Sequence, residues 1–218
     1  MNSEGGEIGI LAPQFDTLKQ QNEASVLGMW IFLVTEIMFF GALFSGYAVY
    51  RFMYPVTFIE SSHLLNVGFG SVNTGILLTS SLTMVLAVYF AQRGRNREVC
   101  LLLLLTALLG LVFLEIKAFE WVHDFKEGLV PGKYFSFPGA NAKQVQLFFC
   151  LYFIMTGVHG LHVLIGVCLM LWLAFLVYRR KCSGNNYMKV ELSGLYWHFV
   201  DVIWIFLFPL FYLIGGSV

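Results

Sequence analysis

The sequence predicts an all-α fold: a polytopic membrane helix bundle with five transmembrane helices. Three observations carry this. Hydrophobic residues make up 58% of the 218 positions and charged residues only 12%, about half the charged share of a soluble domain and too little to solvate a globule of this size. Apolar runs of roughly 20 residues, the length that crosses a bilayer core, recur along the chain. The remaining charge gathers mostly in the connections between them. Net charge is zero, and no block of basic residues points to nucleic acid as a partner.

Residues 1–25 read as a polar N-terminal tail and 26–218 as the five-helix transmembrane domain. The tail, MNSEGGEIGILAPQFDTLKQQNEA and the serine after it, lacks the basic start and apolar centre of a signal peptide. The first helix is expected from about Val26 to Tyr50 and the second from about Asn66 to Gln92. The third runs from about Val99 to Val122. The fourth, Val145 to Tyr178, is long enough to tilt or to project beyond the bilayer. The fifth runs from about Ser193 to Ile214, with Pro209 expected to kink it.

The connections differ in charge. RGRNR (93–97) and YRRKCSGNNYMK (178–189) are short and basic. DFKEGLVPGKYFSFPGANAK (124–143) mixes acids and lysines with two prolines and three glycines, and the loop around Tyr54–His63 has only Arg51 at its edge. Together with Lys19, the two basic loops place eight of the thirteen Lys and Arg residues on one side. Basic loops stay inside, so the N-terminus is expected inside and the C-terminus outside. Cys100, Cys150, Cys168 and Cys182 form no CxxC, and buried small hydrophobes are the plain expectation for the first three. Small residues recur every fourth position at Ser71, Gly75, Thr79 and Thr83, at Gly41 and Ser45, and at Thr156 and Gly160. Such stripes let a neighbouring helix approach closely.

Ionisable residues within apolar runs each need a partner or a role. Glu36 lies ten residues past Val26, about 15 Å into the bilayer. His159 and His162, in TGVHGLHVLIG (156–166), lie near the midpoint of the fourth helix, three apart and therefore expected on one face. Similar depth suggests a carboxylate–imidazole hydrogen bond between Glu36 and one of them, clamping the first helix to the fourth; a packing contact and a part in proton handling are both open. In EIKAFEWVHDF (115–125), Lys117, Glu120 and His123 follow at three-residue intervals, and the expected arrangement is a snorkelling pair near the outer interface, with Trp121 as an anchor. Glu115 lies off that face and is expected to meet another helix or subunit. In the fifth helix His198 and Asp201 share a face, and Asp201 is partly accounted for by proximity to the helix N-terminus.

No metal is expected. Haem held by two histidines needs them on facing helices, and His159 and His162 share one. Glu36, His159 and His162 match a two-histidine, one-carboxylate triad only in ligand count, which leaves an intramembrane metalloenzyme as a reading from a different class. A proton-coupled transporter would show broken helices and internal repeats, and neither is apparent.

Four ordered blocks resemble subunit III of the haem–copper oxidases: LGMWIFLVTEIMFF (27–40), FLEIKAFEW (113–121), TGVHGLHVLIG (156–166) and YWHFVDVIWIFLFPLFYL (196–213). The five expected helices resemble the short bacterial form, which lacks the first two helices of the long one. The resemblance implies an accessory subunit of a cytochrome c oxidase in the bacterial cytoplasmic membrane, itself without a redox centre and not itself catalytic. It implies haem and copper in a partner subunit I, bound phospholipid, and support of proton uptake and of the durability of the active enzyme. The same role in a quinol oxidase or nitric oxide reductase is the alternative. Glu36 matches the family's intramembrane carboxylate and His159 and His162 its histidine pair, while Lys117, Glu120, His198 and Asp201 fall on matching motif positions.

Overall fold

The computed structural model describes residues 13–132, 135, 141–179 and 187–214. Among the described residues six α-helices follow in order: α1 (Leu18–Met53), α2 (Pro55–Ser62), α3 (Val67–Gln92), α4 (Asn96–Lys126), α5 (Ala142–Tyr178) and α6 (Met188–Phe208). A π-helical segment, Pro209–Leu213, continues α6. All except α2 yield spans long and apolar enough to cross a membrane, five in total as expected. The expectations for residues 1–12, for most of 133–140 and for Arg180, Lys181 and Cys182 lie outside the described residues.

Two compact units divide the chain, residues 1–39 and 40–218. The first carries the N-terminal part of α1. The helix starts at Leu18, so the polar stretch LKQQNEAS is already helical, eight residues ahead of the apolar run. The second unit is built on a closed ring of four helices in which α3 packs on α4, α4 on α5, α5 on α6 and α6 on α3. The short α2, unforeseen within the 54–63 loop, packs on α5 and begins with Pro55, where the missing N–H costs no helical hydrogen bond.

Local sequence explains the joints. The Asn66 side chain accepts a hydrogen bond from the Gly68 N–H at 2.9 Å and starts α3. Gly94, at φ +70°, makes the turn from α3 into α4, a backbone that glycine adopts without a Cβ clash. Pro209 has no N–H to give the preceding turn, and the helix widens there into its π segment.

The ring closes around two tryptophans of α6. The Trp197 N–H donates to Ser80 Oγ and the Trp204 N–H to Thr74 Oγ1, both at 3.1 Å. The Trp197 ring lies against Gly110 and Gly166: a Cβ at either would come within 2.8 Å of it. These glycines set close approaches that the expected stripe at 71–83 does not. Ser71, Gly75 and Thr79 are exposed, and only Thr83 of that stripe is buried, where its hydroxyl meets Thr106 Oγ1 at 2.7 Å. Cys100, Cys150 and Cys168 are free thiols, but none is buried and Cys168 is exposed, contrary to the expectation.

Candidate functional site

The densest polar cluster lies where α4, α5 and the π segment converge. Lys117 sits on the inner face of α4, only 4% exposed, and Glu120 is 2% exposed. This overturns the expected snorkelling pair: the ammonium turns into the protein instead of reaching for the interface. Its Nζ donates to Glu120 Oε2 at 3.0 Å, to Tyr152 Oη at 2.9 Å and to Tyr212 Oη. Tyr212 donates in turn to Glu120 Oε1 at 2.6 Å, and the two phenol oxygens lie 3.2 Å apart.

The donor count closes. An ammonium has three N–H groups, and all three are engaged. With Tyr152 donating to Tyr212, each phenol gives one proton and Tyr212 accepts two bonds. Both carboxylate oxygens of Glu120 accept. The Trp204 ring adds a face 5.3 Å from Nζ, within reach of cation–π attraction. Asp124 continues this face of α4 and is buried as well. His123, expected on the same face, is exposed and pairs with Glu127 at 3.2 Å. A saturated network of this kind locks three chain segments together.

The cluster's partners Tyr152 and Tyr212 escaped the sequence reading. Their signal was a single phenol in each of two otherwise apolar runs, FFCLYF (148–153) and PLFYL (209–213); a buried Tyr hydroxyl generally has a partner.

The histidine pair separates. His159 is 1% exposed, stacked on Trp204 at 5.2 Å and edge-on to Phe113 at 5.6 Å. Neither of its ring nitrogens has a hydrogen-bond partner among the described residues. His162 instead places its ring 5.4 Å from Phe40, and its Nδ1–H donates to the Val158 carbonyl at 2.8 Å. Positions three apart differ by about 60° around a helix, enough to send one imidazole into the ring of helices and the other toward Phe40. Glu36 belongs to α1, and both histidines belong to α5. Among the described residues no three His, Cys, Asp or Glu side chains are grouped as metal ligands.

His198 and Asp201 also diverge in their bonding. His198 Nδ1 lies 2.8 Å from Ser81 Oγ, linking α6 to α3. Asp201 is buried, with no hydrogen bond to either carboxylate oxygen among the described residues. Because α6 begins at Met188, Asp201 stands about three and a half turns into it. The helix-terminus account of this acid therefore fails, since that effect fades within the first turn.

The family model for cytochrome c oxidase subunit III matches residues 17–216. The chain belongs to this family. It is also 30% identical over 200 residues to a protein of Staphylococcus haemolyticus (strain JCSC1435) named as a probable quinol oxidase subunit 3, with 92% of this chain and 94% of that protein covered. A protein of the same name in Staphylococcus aureus (strain USA300) is 31% identical over 202 residues, with the same coverage. The chain is thus a subunit III of a haem–copper oxidase, a family whose members associate with other oxidase subunits. Lys117 and Glu120, singled out by that resemblance, stand together at the centre of the polar cluster.

Proposed function

We propose that the chain is the accessory, non-redox subunit III of a bacterial respiratory oxidase, packed beside a subunit I that carries haem and copper. In this reading it sits in the cytoplasmic membrane with its N-terminus inside, binds phospholipid, and supports proton uptake and the working lifetime of the complex. The observation that carries the reading is the saturated Lys117–Glu120–Tyr152–Tyr212 network: its donors are used within the chain, as suits a scaffold. Pairing of Glu36 with an imidazole of α5, drawn from sequence depth, belongs to the same proposal. The electron donor first expected is cytochrome c. The names of the relatives favour quinol as a second reading.

Purification of the tagged chain under mild detergent tests this. A visible spectrum with haem assigned to a larger companion is expected, and oxidation of reduced cytochrome c or of a quinol by that complex decides the donor. Glu36→Gln is expected to leave haem content unchanged while shortening turnover lifetime or loosening the subunit. Haem loss from that variant, or co-purification with no haem protein, contradicts the proposal.

A further inference from the structure

The outward face of α4 carries a charge that the chain itself leaves unanswered. Leu101, Leu104, Leu108, Leu111, Glu115, Ala118 and Val122 follow in alternating steps of three and four and are all exposed. Between Glu98 and His123, α4 has three charged residues. Lys117 and Glu120 point inward and satisfy one another. Glu115 is the exposed one, and it has no ion pair or hydrogen bond within the chain among the described residues.

Depth makes this costly. α4 has 31 residues, and Glu115 lies four residues past its midpoint, about 6 Å along the axis. With the bilayer centred on α4, that is within a hydrocarbon core about 30 Å thick. A glutamate stem is too short to bring its carboxylate from there to water. The outward stripes of α3 and α5 offer a contrast: Leu78, Leu82 and Val85 on one, Leu161, Leu164 and Cys168 on the other. Any lipid-facing helix shows three–four spacing of apolar groups, so the spacing alone distinguishes nothing. The acid does.

We infer that the Leu104–Leu108–Leu111–Glu115 face of α4 docks a transmembrane helix of another oxidase subunit, one that presents a basic side chain to Glu115 at the same depth. Intramembrane acids pair with opposite charges, and a single polar residue in an apolar seam fixes the register of two packed helices. Leucines on both sides of Glu115 supply the apolar contact, and the acid selects the partner and its height. The inference rests on the reading of the chain as an oxidase subunit.

The test is photocrosslinking in the purified complex, with p-benzoylphenylalanine replacing Leu111, followed by mass spectrometry of the adduct. The expected product joins position 111 to a membrane span of a different subunit that contains Lys, Arg or His. Glu115→Leu is expected to lower its yield at least tenfold while the chain still inserts and folds. Adducts to lipid alone, to a second copy of this chain, or to a span without a basic residue overturn the docking, as does a yield indifferent to Glu115→Leu. If the tagged chain brings down no haem-containing companion, the functional reading falls first and the docking with it.

Discussion

One helix, α4, resolves membrane charge in two ways. Its inner face, through Thr106, Gly110, Phe113, Lys117 and Glu120, is buried. The ammonium and carboxylate there are surrounded by two phenols and an indole supplied by α5, α6 and the π segment. Its outer face runs through Leu104, Leu108 and Leu111 to Glu115 and is exposed throughout. The same spacing serves both. What differs is where the answering group comes from: the chain itself on one side, and by inference another subunit on the other. An intramembrane charge can therefore record either how a subunit folds or how it assembles.

The comparison breaks most sharply at Lys117. Lys117→Met leaves Glu120 buried without its cation, and a loss of about 3–5 kcal/mol is expected, read as a fall in the unfolding midpoint of the full chain in detergent. Adding Glu120→Gln to that variant should recover part of the loss, because the buried charge disappears with its partner. Next in size, Gly110→Ala drives a methyl into Val167 and Trp197 and is expected to cost about 1–3 kcal/mol, with altered Trp fluorescence. Tyr212→Phe removes the donor to Glu120 and should cost a similar or smaller amount, about 1–3 kcal/mol. Thr83→Val breaks the hydroxyl contact between α3 and α4 and should cost about 0.6 kcal/mol, the usual size of such bonds between membrane helices. Smallest of all, Glu115→Leu should change the midpoint of the isolated full chain by no more than about 0.5 kcal/mol.

Much of the architecture was legible because hydrocarbon thickness imposes itself on sequence. The span from Asn66 to Gln92 and the end of the fourth span at Tyr178 agree with α3 and α5 to within a residue. The polar and charged helix ends were less legible. LKQQNEAS is largely polar and MKVEL, from Met188, alternates apolar with charged residues, yet both belong to their helices. The site is half visible in the sequence: three-residue spacing marks Lys117 and Glu120 as a pair but does not show that they are buried. When leucine covers nearly every face of a helix, as along 101–105, nothing local tells which side meets protein and which meets lipid. The glycines that pack closely are hidden for a related reason. Gly110 and Gly166 matter because Trp197, far away in sequence, lies on both, whereas regular spacing drew attention to the exposed Gly75.

The most direct test of the account is the unfolding midpoint of the full chain in detergent, compared between Lys117→Met and Glu115→Leu. The account predicts a large fall for the first and an unchanged value for the second, since only Lys117 is held by the chain's own side chains. Equal falls would contradict it by giving Glu115 a partner inside the chain; an unchanged midpoint for Lys117→Met would contradict it by removing the internal clamp.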